Sequence, residues 1–238
     1  MNKITKNASS LVVLACCASI SVGQARRTQL PRGSNPPPPP LPAAVAPRID
    51  VSGKLEGSTY TNAFFGFTLT LPHGWQAQDI EVKKQFTEVV KDKAQEDSVM
   101  RQRAYQASIA RTSLLLIAVK PTEERTNPLV ISMAEDIGLA FNIRTPRQYA
   151  EQLRQLSIID KNSLLIFEDE VKTERIGGVE FAVVDAVARN PNITPVAKAR
   201  QSYYLTVRNK YGISFILTYH SPEELQACKE MLASLKFQ

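Results

Sequence analysis

The chain has 238 residues, 43% of them hydrophobic and 22% charged, with a formal net charge of +6. Its basic and acidic residues are interleaved, which excludes the single-sign patch with stacking aromatics that a nucleic-acid surface needs. Of three cysteines only Cys228 lies outside the first 25 residues, which excludes a disulfide framework and a cysteine-based metal cluster.

Residues 1–25 read as a secretory signal. Lys3 and Lys6 form a basic start, Ser10 to Val22 is apolar or small throughout, and Gly23 and Ala25 stand at −3 and −1 of a cleavage site. The apolar run is too short to span a bilayer, which takes about 20 residues. A second form of the signal stays open: "VLAC", Val13 to Cys16, resembles the bacterial lipobox, in which Cys16 would be lipidated and become the first residue. The first form predicts a periplasmic or extracellular protein, the second a lipoprotein anchored through Cys16. Loss of Lys3 and Lys6 takes the charge from +6 to +4, an excess that would still favour weak contact with anionic surfaces.

Residues 26–54 read as a proline-rich linker. Five consecutive prolines, Pro36 to Pro40, lack amide donors and hold φ near −65°, so "PRGSNPPPPPLPAAVAP" is expected as an extended spacer. One folded domain is expected over residues 55–238.

In "FGFTLTLP", Phe67, Leu69 and Leu71 alternate with Thr68 and Thr70, the pattern of a half-buried strand. Phe64, Phe65 and Gly66 turn into it, Pro72 and Gly74 end it, and Trp75 is expected to fold back as a core plug. His73, between Pro72 and Gly74, reads as an exposed loop histidine. Residues 78–104 predict a helix through Val82, Phe86, Val89 and Val90, with a weak point near Asp97-Ser98 that would split it in two. Its stretch "EVKKQFTEVVKDKAQED" alternates in charge as a solvated helical face does. "SLLLIAVKP" and "PLVISMAEDI" predict two buried strands.

Thr145-Pro146-Arg147-Gln148 predicts a helix start: Thr145 caps, Pro146 takes the first helical position and Gln148 completes a capping box. Tyr149, Leu153 and Leu156 then share one apolar face. "LLIFEDEVKTERI" and "GVEFAVVDAVA" predict a hairpin turning at Gly177-Gly178, with Val179, Phe181, Val183, Asp185 and Val187 on one face. "ARQSYYLTVR" and "GISFILTY" predict a second hairpin through Asn209-Lys210-Tyr211, closed by a left-handed Gly212. The last segment predicts a helix capped by Ser221, with Pro222 first, Glu224 completing a capping box, and Leu225, Cys228, Leu232 and Leu235 as its buried stripe. The fold class expected is α+β: an antiparallel sheet of about six to seven strands sandwiched by helices.

Two stretches carry a family resemblance. "YTNAFFGFTLTLPHGW" and the closing "YYLTVRNKYGISFILTYHSPEELQACKEMLASLKF" resemble the opening hairpin and the ending of the PsbP/Mog1-like α/β/α sandwich domains, which include small exported bacterial proteins. The resemblance covers roughly residues 58–238. It implies the sandwich fold and a binding or assembly role without catalysis. It brings no catalytic residues, no cofactor and no transferable partner.

The residues themselves point the same way. His73 and His220 stand far apart, outside HxxxH or HxH spacing, so no metal site is expected. There is no GxSxG elbow and no phosphate loop, and Gly177-Gly178 alone reads as a turn. A dispersed Ser–His–acid set stays open, but His220 borders a helix cap, where a structural part suffices. Cys228 reads as an inert buried thiol. "EDE" (Glu168 to Glu170) with Glu174 lacks the calcium-loop arrangement and reads as a charged strand edge. Asp185, alone on its apolar face, is expected at the sheet margin or paired with a base. "NIT" at Asn192 is a sequon only in a eukaryotic secretory pathway. The expectation is an exported, non-catalytic domain that binds a protein or envelope component, with no catalytic, cofactor-binding or metal residue assigned. The alternative is a small-ligand pocket or a hydrolase, with Tyr203, Tyr204 and Phe215 as pocket lining.

Overall fold

A computed structural model describes residues 50–78, 110–122, 127–138, 142–159, 165–188 and 199–238. The leader with Cys16, the linker up to residue 49, all but the first residue of the expected helix 78–104, and Asn192 lie outside them. Val51, inside the stretch expected as linker, is buried in the core, and its carbonyl accepts the side-chain amide of Asn62.

Twelve strands and two helices of three or more turns are described. The larger sheet holds β4 (Gln76–Ala77), β5 (Thr112–Val119), β6 (Leu129–Asp136), β7 (Leu165–Phe167), β8 (Lys172–Ile176), β9 (Val179–Ala188), β10 (Arg200–Arg208) and β11 (Tyr211–Tyr219). Their order is β4-β5-β6-β11-β10-β9-β7, with β8 also on β9. Every pair is antiparallel. The strand expected over residues 164–176 is therefore two strands on one edge of β9, separated at Glu168–Val171, where the charged run interrupts the ladder.

The expectation of a single sheet of six to seven strands is corrected. A second, four-stranded sheet runs β1 (Lys54–Glu56), β2 (Thr59–Asn62), β3 (Phe67–Thr70) and β12 (Lys236–Phe237). The expected opening strand belongs to this sheet. Its neighbours β1, β2 and β12 are two to four residues long, too short to show a period in sequence.

Alternation divides the larger sheet into two faces. Helix α1 (Pro146–Ile159) covers one, burying Tyr149, Ala150 and Leu153 against Ile131, Met133, Val184, Tyr203 and Ile216. Its start is a reciprocal capping box: the Gln148 amide donates to Thr145 Oγ1 at 3.2 Å, and the Thr145 amide to Gln148 Oε1 at 3.1 Å. Helix α2 (Pro222–Ala233) and the smaller sheet cover the other face. Cys228, Met231 and Leu232 face inward from α2, and Leu235 is buried just beyond it. Phe67 lies 5.7 Å from both Phe215 and Phe237, ring centre to ring centre, joining the two sheets. Trp75 is buried in the same core, as its sequence position predicts. Each buried Phe there contributes about 1.5–3 kcal/mol of transfer free energy.

The two long hairpins turn where expected, but one by another device. Gly177 and Gly178 have φ of 57° and 82°. In the second hairpin the left-handed residues are Asn209 and Lys210, at φ 52° and 66°, and Arg208 pairs directly with Tyr211. The expected role of Gly212 is thus corrected: its turn is a two-residue one that closes before it is reached. Gly212 is needed for space instead, because a Cβ there would sit 2.5 Å from Cζ of Tyr149.

Candidate functional site

Asp185 interrupts the apolar face of β9, and the sheet register assembles a polar cluster around it. Ser202 of β10 stands directly opposite, and its hydroxyl donates to Asp185 Oδ1. The Tyr219 hydroxyl lies 3.2 Å from Ser202 Oγ. Lys172 Nζ reaches Asp185 Oδ2 at 3.5 Å, and the Asp185 charge holds its ammonium above the usual lysine range. Nearby, burial pushes the Tyr204 phenol well above the usual tyrosine range, and the Glu174 charge adds to it. Arg200 Nη2 meets Glu168 Oε1 at 2.8 Å on the cluster's outer side.

Of the two readings for Asp185, pairing with a base is the one observed. Its carboxylate is engaged by one hydroxyl and one ammonium, so the network is closed on itself. Ser202 is 3% exposed and gives its proton to Asp185. That geometry ties β8, β9, β10 and β11 in register; it does not present a nucleophile to solvent.

The histidines fall elsewhere. His73 is exposed at its turn. His220 Nδ1 lies 3.3 Å from Glu224 Oε2, and the His220 backbone amide donates to the same oxygen at 2.6 Å. Ser221 Oγ accepts the Glu224 amide at 3.2 Å, the helix-cap bond expected. The other half of the expected capping box reaches one residue further back, to His220. His220 and Glu224 are thus a His–acid pair whose neighbouring serine is occupied as a cap. Cys228 is wholly buried, and burial pushes its thiol up to about 12.

The acidic run is distributed among separate partners. Glu168 pairs with Arg200, Asp169 with Arg154 and Glu170 with Lys172. Among the described residues no group of three or more His, Cys, Asp or Glu side chains is placed to hold a metal ion. Tyr203, Tyr204 and Phe215, expected as pocket lining, are each at most 1% exposed, and they divide between the two cores.

A second cluster went unread in the sequence. Glu135 lies on the α1-covered face of β6 and is 3% exposed. Its Oε2 accepts the Tyr149 hydroxyl at 3.2 Å, and that hydroxyl lies 3.4 Å from Ser214 Oγ. Its Oε1 is buried without a hydrogen-bond partner. Burial pushes the Glu135 carboxyl up to about 7, against the opposing pull of Arg111 and the Tyr149 bond. The sequence did hold a signal: Leu129, Ile131, Met133 and Glu135 alternate onto one face, and the last is a carboxylate.

No protein-family model matches the chain, and no curated protein matches it. Solved structures similar to it include the cyanobacterial PsbP (CyanoP) of Synechocystis, a member of the family its two end segments resemble. That structure is 11% identical over 84% of this chain and 100% of its own, with a TM-score of 0.45. A Bacteroides thetaiotaomicron protein is 10% identical over 77% of this chain and 49% of its own, at 0.41. LpqN of Mycobacterium tuberculosis, described as involved in cell envelope biogenesis, is 11% identical over 79% of this chain and 88% of its own, at 0.38. At these identities and scores none of the three bears on what the chain does. The architecture stands on its own strand order and register.

Proposed function

We propose that the chain is an exported, non-catalytic binding or assembly domain that acts through protein–protein contacts at its surface. The observation that carries this reading is the filling of both faces of the larger sheet by the chain's own side chains. The aromatics that a ligand pocket would use, Tyr203, Tyr204 and Phe215, are consumed as core. Of the polar groups that chemistry would use, Ser202 is engaged by Asp185, and His220 is held by Glu224 through Nδ1 with its Nε2 buried away from solvent. A domain built this way offers a partner its outside.

In this reading residues 1–25 export the protein, or Cys16 anchors it to a membrane as a lipoprotein. In the lipoprotein form the proline-rich segment would serve as a spacer between Cys16 and the folded domain, whose core takes in Val51. Among the described residues no helix is long and apolar enough to cross a membrane. The partner is a protein or an envelope component, and no cofactor is required.

Affinity purification of the native protein after mild cross-linking, with intact-mass measurement of the recovered chain, tests both halves. A recurrent partner and a mature chain starting at Arg26, or at lipidated Cys16, are expected. A monomer that cross-links to nothing would overturn the binding role, and a chain retaining residues 1–25 would overturn the export.

A further inference from the structure

We propose that Glu135 is a pH-sensing latch for α1: protonated, it lets the helix seat on the larger sheet, and ionised, it loosens the helix and opens the apolar face beneath. The inference starts from geometry. Glu135 lies in the layer between α1 and β6, almost wholly removed from water. One carboxyl oxygen has a donor, the Tyr149 hydroxyl, and the other is buried with none. A neutral carboxylic acid tolerates that setting, whereas a carboxylate leaves charge on an oxygen with no donor.

The charged and titratable groups around it come from each described element packed there. Tyr149 approaches from α1, Arg111 from the segment entering β5, and Asp136 follows on β6 itself. Ser214 of β11 adds a hydroxyl to the Tyr149 hydrogen-bond chain. Arg111 and Tyr149 favour the ionised form, and desolvation and Asp136 oppose it, desolvation most strongly. The balance moves the carboxyl from 4.5 up to about 7, into the physiological range.

The two sides of the latch are unequally held. Glu135 is fixed in an interior strand, opposite Thr112 of β5 and Gly212 of β11. Helix α1 is seated through side chains, with its Tyr149 ring on the bare backbone of Gly212. Moving α1 breaks no ladder, so ionisation is relieved most cheaply there. What it uncovers is the surface of Ile131, Met133, Leu205 and Ile216.

Hydrogen exchange of the α1 amides in the full mature chain, at about pH 5.5 and about pH 8 and corrected for intrinsic rate, tests this. The α1 opening equilibrium is expected to rise with pH about a midpoint near 7. The ceiling between acid and alkaline limits is roughly 300-fold, set by the move from 4.5 to about 7. Glu135→Gln should keep α1 protected at both pH values. Tyr149→Phe keeps the ring on Gly212 but removes the donor that favours ionisation, so its midpoint should move higher. Equal α1 protection at both pH values in the native chain would overturn the proposal. So would an undiminished pH response in Glu135→Gln, or, should that variant not fold, an unmoved midpoint in Tyr149→Phe.

Discussion

The ring of Tyr149 rests on the α-carbon of Gly212, so close that a β-carbon at 212 would come within 2.5 Å of Cζ and 2.6 Å of Cε1. This contact joins α1 to the centre of the larger sheet and aims the Tyr149 hydroxyl at Glu135. Gly212→Ala must therefore push the ring away. A loss of about 1–3 kcal/mol is expected, the usual cost of overpacking, read as a lower urea midpoint. An unchanged midpoint would mean that α1 can shift without cost.

Glu135 gives stability a pH dependence of definite sign. Its carboxyl is at about 7 in the folded chain against 4.5 ordinarily. Below 4.5 both folded and unfolded chains hold the proton and nothing differs. Between 4.5 and about 7 the unfolded chain releases it first, so stability falls as pH rises. Above 7 the deficit levels off at about 3 kcal/mol. Glu135→Gln should remove this slope and leave the variant more stable than the native chain at alkaline pH. Urea titrations at several pH values check it.

The Asn209-Lys210 turn carries a lysine at φ 66°. A non-glycine residue there is strained, and Asn-Gly is the favoured pair for a two-residue hairpin turn. Lys210→Gly should stabilise the chain by up to about 1 kcal/mol. The backbone bond from the Ile137 amide to the residue 210 carbonyl needs no side chain and is retained. A shift in thermal midpoint measures it.

Cys228 should be silent to thiol reagents in the folded chain. It is fully buried, and its thiol stands at about 12, so both access and thiolate are lacking. Labelling at mildly alkaline pH should be slow until denaturant is added and rapid afterwards.

Much of this fold was legible because the signals were local. The Thr145–Gln148 capping box, the Ser221 cap, the Gly177-Gly178 turn and the alternation through Phe67 and Leu69 each need only a few consecutive residues. What escaped needed partners distant in sequence. β12 is a strand only because Lys236 and Phe237 meet Thr68 and Phe67. Gly212 looked like a turn glycine until the Tyr149 ring, far back in the chain, explained it. Asp185 was visible as an anomaly, but Ser202 faces it across a connection too long to carry register. Glu135 stands on an apolar face in plain alternation, but its partner there, Tyr149, comes from a separate helix.

The central claim, a binding domain working from its surface, is tested most directly by cross-linking the native protein in its own cells and recovering it. The account predicts a recurrent protein or envelope partner joined to surface residues of the folded domain. A clean monomer with no recurrent cross-link would contradict it, and saturable uptake of a small ligand by the purified chain would point to a pocket instead.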